Sequence, residues 1–236
     1  MVYSNAEQVV LASASPRRLE LLQQIGVKCL VIPVNIPEVR VAGEVPKEYV
    51  QRLAIAKARA GRLLASENRL RDLPVLGADT IVVLDVVLDV VLDVVLDVDE
   101  ASVVEVDVDD LCLGSEVLEK PRDEKDALHM LRLLSGRTHT VMSAVAMVDG
   151  KHEQGLLNQT RVTFRPIDEA EMKAYWATGE PVDKAGGYGV QGLGGVFVEK
   201  IEGSYSGVMG LPIWETCQLL ANFGVPYWYS GNRLKS

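Results

Sequence analysis

Cysteine is scarce in this chain of 236 residues. Its three cysteines, Cys29, Cys112 and Cys217, are far apart and odd in number, which excludes a disulfide framework and a CxxC metal pair. A reducing, cytoplasmic setting is expected. Aromatic residues make up only 6% of the chain. The segment from Met1 to Gln8 lacks the basic start and apolar core of a signal peptide. No apolar run long enough to span a bilayer is free of charge, so no membrane partner is expected. His129, His139 and His152 have no metal-ligand spacing, and no Ser/His/Asp or Cys/His order stands out. There is no broad basic surface of the kind that binds nucleic acid.

What is present is a strongly apolar chain, 48% hydrophobic, long enough for one large domain or two small lobes. The formal charge of −9 comes from one segment. Residues 86–113 hold nine acidic groups and no Lys or Arg, and the rest of the chain balances 24 acidic against 24 basic residues. Strand-like and helix-like segments alternate, which predicts an α/β fold. Strands are expected at Val9–Leu11, Pro74–Leu84, Thr138–Val148, Asn158–Phe164 and Val196–Ile201. Helices are expected from Pro16 to the stop at Gly26, from Pro46 to Ser66, over 123–134, after an Asp168/Glu171 capping box to Ala177, and from Pro212 to Asn222. No linker divides the chain into independent domains.

The most informative stretch is Leu11-Ala12-Ser13-Ala14-Ser15-Pro16-Arg17-Arg18. A strand leads into it and a helix leaves it. Ser15 suits the N-cap and Pro16 the first helical position. Arg17 and Arg18 then sit at the positive end of the helix dipole, which is unfavourable unless an anion docks there. A polyphosphate cradle is one reading; a solvated basic helix start is the other. Asp79 is the costliest residue, because it interrupts the apolar run Val75–Val83 and a buried carboxylate needs partners. A metal ion, a lysine or a reacting proton would serve; backbone donors at a strand end are the alternative. Lys57 falls in the middle of the helical stripe of Val50, Leu53, Ala54, Ala60, Gly61 and Leu64. It either snorkels out or points its ammonium into a cleft. Glu38 and Lys120 carry weak signals alone. Six glycines between Gly186 and Gly195 allow close backbone approach to a ligand, or form a tight structural corner.

Together these segments resemble the Maf family of nucleoside triphosphate pyrophosphatases. The matching pieces are LASASPRR at 11–18, LAIAKARAG at 53–61, VLGADTIV at 75–82, LEKPRDE at 118–124, LSGRTHTVMSAV at 134–145, DKAGGYGVQGLGG at 183–195 and EGSYSGVMGLP at 202–212. The resemblance implies a two-lobed α/β fold, with an elongated mixed β-sheet flanked by helices and a central nucleotide cleft, of the Maf/inosine-triphosphatase-like kind. It implies a single domain over 1–236 that splits dTTP and UTP, or modified pyrimidine nucleotides, into the monophosphate and pyrophosphate. It also implies a divalent cation, Mg²⁺ or Mn²⁺, and a homodimer. By the same resemblance, Asp79 is the catalytic acidic residue. Ser13, Arg17 and Arg18 hold phosphates, Glu38, Lys57 and Lys120 complete the charged cleft, and Glu38 and Asp79 are the metal ligands. Arg17, Thr80 and Gln191 match the specificity positions of the branch acting on dTTP and UTP. Whether Asp79 deprotonates water or holds the metal stays open at this stage. Two other readings compete: a nucleotide-binding regulator of cell division with incidental hydrolysis, and an interaction protein that uses an acidic arm.

The chain departs from the family at one place. Val-Val-Leu-Asp repeats in tandem from Val82 to Asp97, running into an insertion at 86–113 that occupies a hairpin tip. Its β-branched content favours strand over helix, with disorder as an alternative. The flanks are symmetric about the insertion, which predicts pairing with residue numbers summing to 199. Continued into the insertion, both this register and a one-residue slip set like charges opposite each other, so register is poorly specified. A projecting acidic arm, about 45 Å long if fully extended, is expected, with the site untouched.

Overall fold

The computed structural model describes residues 7–67, 73–85 and 115–228. The insertion at 86–113, and with it the expected arm, lies outside the described residues. The elements run β1 (Val9–Ala12), α1 (Pro16–Gln24), β2 (Cys29–Val31), α2 (Pro46–Glu67), β3 (Val75–Asp85), β4 (Ser115–Leu118), α3 (Glu124–Leu134), β5 (Thr138–Val148), β6 (Glu153–Phe164) and α4 (Glu169–Ala177). Three short 3₁₀ turns follow, at Glu180–Asp183, Ala185–Gly187 and Leu193–Phe197, and then β7 (Val198–Glu202), α5 (Tyr205–Met209) and α6 (Ile213–Asn222). The caps behave as their residues dictate. Asp123 and Asp168 accept the backbone N–H groups of Asp126 and Glu171, and Glu171 closes the capping box. Ser15 does occupy the N-cap position of α1, but its side chain makes no capping bond. β2 and α5 carry no periodic signal, being only 3 and 5 residues long. β6 starts at Glu153, five residues before its alternating part.

Among the described residues, seven strands form one mixed sheet in the order β2-β1-β3-β5-β6-β7, with β4 beside β3. β3 is the hinge of this arrangement. One of its edges pairs antiparallel with β5 over Val75 to Val83. The other edge is shared: Val75 to Gly77 pair parallel with β1, and Val82 to Asp85 pair antiparallel with β4. Ala78 to Ile81 therefore face a split in the sheet. The two main cores lie either side of it. One holds Leu11, Leu22, Leu76, Met147, Leu211 and Leu219; the other holds Val82, Leu131, Val162, Phe164, Tyr188 and Phe197. This is the expected two-lobed α/β form, with β3 belonging to both lobes.

The β3–β4 register differs by one from the symmetric expectation, since the paired numbers sum to 200 (Val82 with Leu118, Val83 with Val117). Opposed residues share a face, so this slip puts Leu118 into the core around Val82 and Val117 against the face covered by α2. Symmetry of the flanks carried no information about which side chain fits which core.

α2 lies on the sheet face opposite α1 and α6. It packs through Tyr49, Val50, Leu53, Ala54 and Ala58 onto Ile81, Val83 and Ala144. Contact with β3 is backbone to backbone at Gly77, where an added Cβ would overlap the Ala54 carbonyl oxygen and the Ala58 amide and lie 3.0 Å from Ala58 Cα. That approach carries Lys57 down to the strand. Gly77→Ala is expected to destabilise the protein by about 1–3 kcal/mol through overpacking, read as a lower urea midpoint with unchanged slope.

Candidate active site

The split beside Ala78–Ile81 opens into a cleft of about 510 Å³. Its wall includes every residue singled out from the sequence: Ser13, Arg17 and Arg18 from the β1–α1 junction, Glu38 from the loop before α2, Lys57 from α2, Asp79 and Thr80 from β3, Lys120 after β4, and Gln191 from the glycine-rich loop. Side chains alternate along β3, so Asp79 points toward α2 and Thr80 toward α1. The cleft wraps around the open strand edge and reaches both.

On the α2 side, Asp79 is 6% exposed and Lys57 is 8% exposed. Lys57 Nζ donates to Asp79 Oδ1 at 2.6 Å and pairs with Glu38 Oε1 at 2.5 Å. Lys120 Nζ lies 3.6 Å from the other Glu38 oxygen. Lys57 thus does not snorkel out, and Glu38, though partly exposed, is an ion-paired loop carboxylate. Burial pushes the Asp79 pKa above the ordinary aspartate value; the charges of Lys57 and Arg18 oppose that rise without cancelling it. Glu38 shifts the other way. Burial alone would raise it, but the hydrogen bonds and charges of Lys57 and Lys120 outweigh that and hold it low. The two carboxylates are therefore unequal, with Asp79 the stronger base.

On the α1 side, Arg18 acts as a pin. Nε donates to the Gly210 carbonyl at 2.8 Å and Nη1 to the Ala78 carbonyl at 2.8 Å and Ser13 Oγ at 3.2 Å. Nη2 donates to Thr80 Oγ1 at 3.3 Å. Four of the five guanidinium N–H groups are thereby used within the protein, and the Ala78 carbonyl is satisfied where the sheet splits. Thr80 Oγ1 also meets Ser143 Oγ at 2.8 Å, and Ser143 donates to the Gly207 carbonyl at 2.7 Å. The local hydroxyl contact at the start of α1 comes from Ser13, whose Oγ accepts the Ser15 N–H at 3.2 Å. Arg17 is the freer cation. Its Nη1 lies 3.3 Å from Asp183, which Lys184 also holds, at 2.7 Å.

Several cleft residues escaped the sequence. Tyr49 is buried and donates to Glu119 Oε1 at 2.6 Å; on a helical wheel it reads as plain core. Burial and the Glu119 carboxylate raise its pKa. Asp183 and Glu119 sit within the motifs noted above but look solvated one at a time. Tyr188 lines the cleft from above and meets His139 Nε2 at 2.9 Å. Burial lowers the His139 pKa to about 4, so this ring is a neutral partner of Tyr188.

Glu38 and Asp79 could hold a divalent cation. One oxygen of each converges on a single point, taken by the Lys57 ammonium, and hard oxygen donors suit Mg²⁺ or Mn²⁺. Among the described residues no group of three or more His, Cys, Asp or Glu side chains could hold a metal ion, so water or phosphate oxygens would complete the coordination.

The raised Asp79 pKa has a stability consequence. A raised carboxyl pKa makes the fold most stable below the unfolded value, and that stability is lost as pH rises through the folded one. Asp79→Asn removes the loss and leaves Lys57 paired with Glu38. The variant is expected to show a higher urea midpoint than the parent at pH 7, with the gap shrinking toward pH 4; an equal gap at both pH values would contradict the burial argument.

Comparison with known proteins agrees with this geometry. A family model described as Maf-like protein matches residues 8–223. A dTTP/UTP pyrophosphatase of Saccharophagus degradans is 49% identical over 224 residues, covering 95% of this chain and 92% of that protein. Proteins of the same name from Escherichia coli O157:H7 and Alkalilimnicola ehrlichii are 48% and 46% identical, over 90% and 93% of this chain and 91% and 94% of their own lengths. With the match spanning both lobes and the cleft between them, the chain belongs to the Maf-like protein family.

Proposed function

We propose that this protein hydrolyses dTTP and UTP to the monophosphate and pyrophosphate. The observation that carries the reading is the carboxylate–ammonium–carboxylate chain of buried Asp79, buried Lys57 and partly exposed Glu38, which faces the Arg17 and Arg18 end of α1 across one cleft. A triphosphate needs its charge neutralised before water can attack phosphorus. Arg17 and Lys120 supply cations at the partly exposed side of the cleft, and Lys57 a buried one already shared by Asp79 and Glu38. The amides at the start of α1 add a partial positive charge that Ser15 does not consume with its side chain. Asp79 takes the proton of the attacking water, a role its raised pKa favours. The water oxygen bonds to phosphorus, and the α–β anhydride breaks with pyrophosphate leaving. A divalent cation held by Glu38, Asp79 and substrate oxygens would further stabilise the charge on the phosphates. Thr80, Gln191 and Arg17, which all line the cleft, would sense the pyrimidine nucleotide.

The names of the relatives support the choice of dTTP and UTP. A homodimer and a cytoplasmic location complete the proposal, with no nucleic-acid or membrane partner; no described helix is long and apolar enough to cross a membrane.

Pyrophosphate release is expected to be fastest with dTTP and UTP among the nucleoside triphosphates, to require Mg²⁺ or Mn²⁺ and to stop with a chelator. Asp79→Asn is expected to lower kcat by about 10³-fold or more while retaining nucleotide binding. A preference for purine triphosphates would overturn the specificity. Removing residues 86–113 is expected to change turnover by no more than about twofold, as for a segment outside the chemistry.

A further inference from the structure

Gln191 reaches the cleft from a loop with two backbone turns, Gly192 N–H to the Gly189 carbonyl and Gly195 N–H to the Gly192 carbonyl, both at 3.1 Å. Further hydrogen bonds of the loop converge on one side chain. Glu180 Oε2 accepts the Leu193 N–H at 2.9 Å, and Oε1 accepts the Gly194 N–H at 3.0 Å. Oε1 also accepts the Tyr175 hydroxyl at 2.8 Å, and the Tyr175 oxygen accepts the Gly189 N–H at 3.0 Å. Three amides between 189 and 194 are thus fixed by one carboxylate and the phenol it orients. Lys184 braces the other side, donating to the Glu180 carbonyl at 2.6 Å.

The loop's glycines follow from this. A Cβ added at Gly192 would lie 2.6 Å from Glu180 Oε1, and one at Gly194 would lie 2.5 Å from the Tyr175 oxygen. Only a chain without side chains at these positions can wrap so closely around a carboxylate and a phenol. Burial would raise the Glu180 pKa, but the amides of Gly194 and Leu193, the Tyr175 hydroxyl and the Lys184 charge together hold it below the usual range. Glu180 is not part of the cleft wall, whereas Gln191 is.

We propose that Glu180 is the positioning residue of the recognition loop: its carboxylate shapes Gly189–Gly194 so that Gln191 faces the nucleotide base. It touches neither the base nor the reacting phosphate. This rests on the reading of the cleft as a pyrimidine nucleotide site. It assigns the six-glycine loop to base selection and leaves phosphate cleavage to the opposite wall.

The test uses the full chain with Glu180→Gln, whose amide can accept through only one atom. Hydrogen exchange in the peptide spanning 189–195 is expected to become at least about tenfold faster, because one amide loses its acceptor. KM for UTP is expected to rise about tenfold with kcat changed less than about threefold, the split left by losing an interaction common to ground and transition states. Inhibition by inorganic tripolyphosphate, which has no base, should not change. Glu180→Gln combined with Gln191→Ala should raise KM no further than Gln191→Ala alone, since both act through one contact. Tyr175→Phe, which removes the Gly189 anchor, should give the same pattern and serves if Glu180→Gln fails to fold. Unchanged loop exchange, multiplicative KM effects, or equal loss of tripolyphosphate binding would overturn the proposal. Exchange is read without substrate. A parent protein that prefers another base therefore sinks the substrate assignment alone, and an unaltered loop sinks the role of Glu180 alone.

Discussion

The ion pair between Lys57 and Asp79 is the contact on which the cleft depends. An unpaired charge at that depth costs several kcal/mol; Lys57 offsets that cost for Asp79 and is itself shared with Glu38. Lys57 reaches Asp79 only because α2 lies directly on the β3 backbone, and it does so only because residue 77 has no Cβ. A helix at ordinary side-chain distance from the sheet would leave the ammonium farther from the strand. The apolar packing of Tyr49, Leu53 and Ala58 therefore sets the electrostatics of the site. Glu38, arriving from a loop, shares the same ammonium and leaves Asp79 the more basic of the two carboxylates.

The second constraint is the division of one strand edge between two partners. β1 and β4 both pair with β3, one parallel and one antiparallel, and neither covers Ala78 to Ile81. A buried strand edge must still satisfy its polar groups. Arg18 does so for the Ala78 carbonyl, and the same guanidinium ties down Gly210, Ser13 and Thr80. Arg18 is thus mainly an architectural cation, and Arg17 is the one held loosely enough, by an exposed aspartate, to exchange partners. Two adjacent arginines that look equivalent in the sequence do different work because successive helical residues point 100° apart.

Opposite this charged wall, the glycine-rich loop is ordered by polar contacts to side chains. Its anchors belong to the aromatic core of the second lobe. Tyr175, Phe197, Phe164 and Tyr188 make successive edge or tilted ring contacts, and His139 stands neutral among them. The cleft therefore joins a rigid apolar lobe that positions a loop to a lobe that concentrates positive charge.

Much of this was legible in the order of residues alone. Local physics determined the helices with strong caps, the apolar strand interrupted by Asp79, the misplaced Lys57 on an otherwise apolar stripe, and the glycine cluster. The family motifs named the residues that now line one cleft. Tertiary structure decided what depends on partners far along the chain: the one-residue slip of β4 against β3, the split edge, the pinning of Arg18 by residues 60 and 192 positions away, and the hold of Asp183 on Arg17. Ser15 shows the limit well, since its place at the N-cap was plain but its side-chain bonding was not. Periodicity records which face of an element is buried, because that repeats every few residues. It holds no record of which distant group meets that face, because register and side-chain pairing are chosen by packing the whole core at once.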